Sequence, residues 1–113
     1  MAADEMFESG ARSTGDLAGV FEYDGEVGYF YLYELEGTEG QKVTASLQIL
    51  STEPDFAASD LVVRWDAGED VVGLFIRGRL WAAFQAGSRA KYGGDYRADA
   101  EPRVPIEIGA AFE

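Results

Sequence analysis

Apolar and polar residues alternate over most of the chain beyond residue 19, a pattern typical of short antiparallel strands. Two aromatic-rich runs, residues 20–23 and 26–35, flank Asp24-Gly25 and predict a hairpin. Asp-Gly between apolar runs favours a type I′ turn, in which both central residues take positive φ. The second run is apolar on both of its faces, which predicts a central strand.

The same alternation predicts four further strands, at residues 43–49, 61–65, 71–77 and 80–84. Gly78-Arg79 lies between the last two of these strands and favours a type II′ turn with glycine first. A turn is expected at residues 36–40, and residues 51–60 form a longer connection with one helical turn. Apolar residues alternate again over residues 104–108, which predicts a short edge strand, where proline is tolerated.

Strands at this short spacing predict a mainly β fold with little helix. We expect a single antiparallel sheet of roughly five to seven strands, strongly twisted or partly closed. Residues 1–17 show no sustained periodicity and are expected to be a loosely structured N-terminal lead-in. Residues 18–113 then form a single β-rich domain. No run has the pattern of a secretory signal or a membrane span, so we expect a cytoplasmic protein.

The charge of the chain limits which partners it can bind. The formal net charge is −12, and residues 1–36 carry −8 of it, with Arg12 as their single base. Such a surface repels nucleic acids and anionic membranes, so we expect neither as a partner. Acidic residues keep a protein soluble, and they also favour fast encounter with a basic protein partner.

The chain contains no histidine and no cysteine. The commonest general base, the reactive thiol and the usual zinc ligands are therefore missing. No pair of a base and a nucleophile can be named among the remaining residues, so we expect a protein that is not an enzyme. We likewise expect no cofactor and no bound metal.

Two features of the first hairpin suggest a binding surface. Three carboxylates cluster around its turn, and three tyrosines follow at period two on one strand face. A row of tyrosines suits a half-buried sheet face or a docking surface, and such a face or an edge strand would also permit a homo-oligomer. The candidate partner-binding residues are Glu22, Asp24, Glu26, Tyr29, Tyr31 and Tyr33.

A second candidate site lies in the C-terminal part of the chain, where arginines and lysine are interleaved with tyrosines. Arginine and tyrosine in a loop can grip a phosphate or carboxylate, which would make the protein a binder of small anions or metabolites. The same bases can instead pair with the acidic N-terminal third of the chain. The candidate anion-binding residues are Arg89, Lys91, Tyr92, Tyr96 and Arg97.

The motif Phe-Glu-Tyr-Asp-Gly-Glu-Val-Gly-Tyr-Phe-Tyr at residues 21–31 resembles the opening of a small bacterial family, domain of unknown function 2251. The apolar strand at residues 43–50, the tryptophan-containing strand at 61–65 and the hairpin at 74–84 are similar to the rest of the family pattern. The resemblance extends over about residues 18–105. It implies a compact bacterial domain and no assigned activity. From the acidic charge and the lack of catalytic side chains, the first hypothesis is a non-catalytic protein-binding module, for example an inhibitor or immunity-type partner of a basic protein.

Overall fold

The computed structural model describes residues 5–36, 42–97 and 99–113. An N-terminal sheet contains strands β1 Met6–Ala11, β2 Leu17–Tyr23, β3 Gly28–Glu34 and β4 Val43–Leu50. A C-terminal sheet contains strands β5 Leu61–Trp65, β6 Val71–Ile76, β7 Arg79–Gln85 and β8 Lys91–Gly93. A 3₁₀ turn at Ala58–Asp60 precedes β5, and the helix α1 spans Ile106–Ala110. The predicted turn at residues 36–40 lies outside the described residues except for Glu36.

The mainly β prediction is confirmed, but the single sheet is wrong. Each sheet has four antiparallel strands in chain order, β1-β2-β3-β4 and β5-β6-β7-β8, and neither sheet closes on itself. The two sheets pack against each other through one shared apolar core. Alternation along a strand shows which residues face the core, and it does not show that the connection at residues 51–60 leads into a second sheet.

The core lies between the two sheets and is built from the inward side chains of both. Phe30 of β3 stacks on Phe84 of β7 with ring centroids 5.0 Å apart, and both rings are fully buried. Gly19 of β2 lets Val72 of β6 approach closely, because a Cβ at Gly19 would lie 2.6 Å from a methyl carbon of Val72. Strands β2 and β3 are therefore fixed on their inward side, and β3 is central as predicted.

The first predicted hairpin is present, although its turn is displaced by one residue. Asp24 N–H donates to Val27 C=O at 3.1 Å, so Gly25 and Glu26 are the central residues. Of these two, only Gly25 has positive φ, at 99°, which is not the predicted type I′ turn. The Asp24 carboxylate accepts hydrogen bonds from the N–H groups of Glu26 and Val27, and this side-chain closure replaces part of the backbone ladder.

The second predicted hairpin also forms with a different turn. Arg77 and Gly78 are its central residues and both have positive φ, at 53° and 79°, as in a type I′ turn rather than type II′. Arg77 is held from outside the hairpin, since its N–H donates to Asp60 C=O at 2.9 Å. Its guanidinium also forms an ion pair with Asp55. Tertiary contacts thus stabilise a conformation that arginine rarely adopts.

The prediction that residues 1–17 are loosely structured is wrong for β1, which pairs with β2 over its whole length. Residues 1–4 lie outside the described part of the chain. Gly10 of β1 lies on Val63 of β5, where a Cβ would come within 2.7 Å of the Val63 carbonyl oxygen. Trp65 Nε1–H donates to Gly10 C=O at 2.9 Å and ties the same two strands together. A close backbone approach therefore orders a segment whose sequence lacks periodicity.

The expected edge strand at residues 104–108 is corrected by α1 and the turn that follows it. Phe112 packs edge-to-face on Phe75 of β6, with ring centroids 5.1 Å apart. Gly73 makes room for this contact, because a Cβ there would lie 2.9 Å from Phe112 Cζ. The guanidinium of Arg64 lies over both rings, 4.6 Å from Phe75 and 5.3 Å from Phe112. The C-terminal segment thus covers part of the outer face of the C-terminal sheet.

Candidate protein-binding face

The outer face of the N-terminal sheet carries the tyrosine row and has no cover from the described parts of the chain. Strand register places Tyr29, Tyr31 and Tyr33 opposite Glu22, Val20 and Ala18 of β2. We call this surface the tyrosine face, and it consists of Phe7, Ser9, Ala11, Ala18, Val20, Glu22, Tyr29, Tyr31, Tyr33, Val43 and Ser46.

Large apolar side chains on the tyrosine face are open to solvent. Phe7 is 61% exposed, Val43 is 52% exposed and Tyr29 is 42% exposed. Val20 is nearly buried although it lies outside the core between the sheets, and it lines a groove with Tyr31. The larger side chains therefore form an apolar layer on the outside of the sheet, and this layer ends at solvent rather than at another element.

Glu22 lies where the grooves of the tyrosine face meet. One groove of about 370 Å³ runs between β1 and the tyrosine row and is lined by Phe7, Glu22 and Tyr31, among others. A second, of about 290 Å³, is lined by Glu22, Tyr29 and Ser46 with the hairpin turn. Burial raises the pKa of Tyr31, and the neighbouring Glu22 carboxylate raises it further. A negative charge therefore sits within an aromatic surface, which suits a cation with an apolar stem.

The acidic residues around this face lack counter-charges in the described structure. Within residues 5–36, 42–97 and 99–113, no salt bridge involves Glu22, Asp24 or Glu26. The Asp24 carboxylate is occupied by the turn, whose two backbone N–H groups lower its pKa. Glu22 lies beside the Tyr31 hydroxyl, a neutral partner that leaves its negative charge uncompensated.

A cation already lies on one ring of the tyrosine face. Lys42 Nζ is 5.8 Å from the centroid of Tyr33, within the range of a cation–π interaction. Tyr31 and Tyr33 tilt toward each other with centroids 6.4 Å apart, so the row presents ring faces as well as edges. The rings are thus arranged to accept cations.

The structure brings together four of the six predicted partner-binding residues on one surface, and it places Asp24 and Glu26 in the turn at its end. Sequence reasoning missed Phe7, the most exposed residue of the aromatic layer. The sequence offered no clear signal for strand β1, because Phe7 is followed by Glu8, Ser9 and Gly10 rather than by an alternating apolar residue.

The five predicted anion-binding residues do not share one site. The hydroxyl of Tyr96 donates to the Asp55 carboxylate at 2.7 Å, and its ring packs edge-to-face on Trp81 and Phe56. Burial and the bond to Asp55 raise the pKa of Tyr96 to about 12. Tyr96 therefore holds the structure together beside a carboxylate, which is a poor environment for an anion.

The other four residues of that set lie in different surroundings. Arg89 lines a groove with Asp16, Glu34 and Glu36, so the surroundings of its charge are acidic. Lys91 Nζ donates to Ser46 C=O at 3.4 Å, and Tyr92 lies opposite Ala83 on β7. Arg97 is exposed next to a residue outside the described part. Anion binding by these residues stays a prediction.

The internal pairing predicted for the C-terminal bases differs from the expected one. Arg77 pairs with Asp55 and Asp60, and Arg79 pairs with Glu101. These acids belong to the middle and end of the chain, not to its N-terminal third. The negative charge of residues 1–36 is therefore not neutralised by the C-terminal ion pairs of the described structure.

In the part of the chain that the structure describes, no group of three acidic side chains is placed to hold a metal ion. No helix in these ranges has the length and apolar character needed to cross a membrane.

The fold and this face together define a small two-layer β protein with one covered and one uncovered outer face. The chain belongs to a family of uncharacterized proteins conserved in bacteria, DUF2251, whose model matches residues 1–102. No curated protein and no solved structure matches the chain. The family resemblance seen in the sequence is confirmed, and the matched residues include every strand of both sheets.

Proposed function

We propose that this protein is a non-catalytic binding module whose tyrosine face docks a basic protein. The observation that supports this proposal is the uncovered aromatic layer with Glu22 in its middle, where the described residues form no salt bridge to Glu22. Tyrosine and phenylalanine are enriched at protein interfaces relative to the rest of the protein surface. An inhibitor or immunity-type partner of a basic protein is one role that such a surface fits.

Charge complementarity selects the partner. Strands β1, β2 and β3 contain Glu8, Glu22 and Glu34 and not one lysine or arginine. A lysine or arginine of the partner would lay its aliphatic stem along the tyrosine rings and bring its charge to Glu22. An acidic partner on the tyrosine face would be repelled by Glu22.

The test starts by isolating the tagged protein from its host at low salt and identifying proteins recovered in stoichiometric amounts. The companion is then purified, and its Kd is measured against wild type, Glu22→Lys and the matched control Glu107→Lys on α1. We expect a companion with net positive charge, a Kd raised at least about tenfold by Glu22→Lys, and a nearly unchanged Kd for the control. Equal binding by all three forms would overturn the proposal.

A further inference from the structure

The edge of the N-terminal sheet at β1 is available for pairing with another strand. Arg12 N–H donates to Leu17 C=O at 3.0 Å, and the β1–β2 register continues from this bonded pair without a shift. In an antiparallel ladder, bonded and non-bonded pairs alternate, so the N–H and C=O groups of Phe7, Ser9 and Ala11 point away from β2. In the described structure these groups have no backbone hydrogen-bond partner.

The other sheet edges are protected, whereas β1 is not. The outer edge of β4 is bonded by residues 95 and 96, whose N–H groups donate to Gln48 and Ile49 at 3.0 Å and 2.8 Å. Strand β8 has only three residues. Val63 of β5 directs its carbonyl onto the inner face of β1 at Gly10. Strand β1 has no lysine, no proline and no bulge, three of the features that block strand addition, and its one charged residue is Glu8.

We propose that the basic partner inserts an extended segment that adds to β1 as a fifth strand of the N-terminal sheet. This inference rests on the proposed function, because it specifies how that partner is held. Side chains of the added strand that lie beside Phe7, Ser9 and Ala11 extend the tyrosine face. Those on the other side of the strand lie opposite Glu8 and Gly10, where a cation pairs with the Glu8 carboxylate.

Charge selects this occupant over a second copy of the chain. Two copies paired through β1 would bring together two sheets that carry acids and no bases in their first three strands. A basic segment instead gains hydrogen bonds from the edge and opposite charges from Glu8 and Glu22.

The probe is a synthetic heptapeptide of alternating valine and lysine, titrated against wild type and Ser9→Pro. Proline removes the outward N–H of Ser9 and leaves the bonds from β1 to β2 in place, while the control Ser9→Ala retains that N–H. We expect Ser9→Pro to raise the Kd of the peptide at least about tenfold and Ser9→Ala to change it little. Amide exchange at Phe7, Ser9 and Ala11 should slow when the peptide binds to wild type.

A second arm does not depend on the folding of any variant. When the lysine side chains lie on the side of Glu8, the N–H groups of the valines point toward β1 and those of the lysines point away. N-methylation of the valines should therefore raise the Kd of the peptide. N-methylation of the lysines should leave the Kd unchanged. An equal effect of both modifications overturns strand addition. Unchanged affinity in Ser9→Pro together with lost affinity in Glu22→Lys also overturns it and leaves the proposed function standing. A wild-type dimer that Ser9→Pro converts to a monomer assigns the edge to a second copy and overturns the basic segment.

Discussion

The two outer faces of this sandwich expose apolar side chains, and they are completed in different ways. On the C-terminal sheet, Phe112 returns from the end of the chain and packs on Gly73 and Phe75. On the N-terminal sheet, Phe7 and Tyr29 stay open to solvent. The outer face of the C-terminal sheet is covered by a segment of the same chain. The outer face of the N-terminal sheet has the apolar composition of a surface that binds another molecule.

The two faces also differ in the source of the cation that lies over their aromatic rings. Arg64 lies over the aromatic pair of the covered face and supplies a cation from within the chain. On the tyrosine face the first three strands supply one carboxylate, Glu22, and no base, and the cation over Tyr33 comes from Lys42 just before β4. The covered face therefore shows, within one chain, the kind of contact that we propose for a partner on the uncovered one.

The largest effect expected from this comparison is on stability. Phe112→Ala should lower the free energy of unfolding by about 2 kcal/mol, because it removes a packed aromatic ring from the covered face. Phe7→Ala should cost less than about 0.5 kcal/mol, because that ring packs on little in the free protein. Urea unfolding of both variants measures the difference. Equal losses would mean that the two faces are packed alike.

The next effect concerns partner affinity, which should be reduced by a substitution on the tyrosine face and not by one on the outer face of the C-terminal sheet. Tyr29→Ala should raise the Kd for the purified basic partner about tenfold, since exposed tyrosines at an interface centre are frequent hot spots. Val62→Ala is the matched control, because Val62 is 48% exposed on the outer side of the other sheet. Calorimetric titration of both variants decides the matter. A similar rise of the Kd in Val62→Ala would contradict binding of the partner to the tyrosine face.

The smallest effect is a pH dependence at one end of the tyrosine face. The Arg12 guanidinium bonds both carboxylate oxygens of Asp16 at 2.7 Å and holds the pKa of Asp16 well below its ordinary value of 3.8. A lowered folded pKa stabilises the protein above the ordinary pKa, and this contribution is lost as the pH falls through the folded value. The stability difference between wild type and Asp16→Asn should therefore be constant near neutral pH and shrink below about pH 4. Thermal unfolding from pH 7 to pH 2.5 tests this, and a difference that grows in acid would contradict it.

The sequence predicted those features that depend on neighbouring residues. The period-two spacing of Tyr29, Tyr31 and Tyr33 places them on one face of any strand, so the core of the candidate site was predictable. The turns of the two tight hairpins, at Gly25 and Gly78, were located to within one residue, but Arg77 takes positive φ through contacts with Asp60, which is distant in sequence.

What the sequence did not predict depends on distant contacts. The alternation at residues 104–108 suggested a strand, whereas residues 106–110 form the helix α1. Packing of Phe112 on the second sheet favours the latter, and Ile106 is left 88% exposed. The ordering of β1 likewise rests on the approach of Gly10 to Val63, which no local pattern encodes.

Each sheet is an uninterrupted stretch of chain in which every strand pairs with its neighbour in sequence. Pairing within either sheet therefore requires the closure of short loops only, which is fast, and the docking of one sheet on the other is the step that joins distant parts. A cut within residues 51–57 would divide the molecule into two fragments, each containing one complete sheet. The pair would serve as a split reporter, in which reassembly of the fragments signals that the shared core has formed.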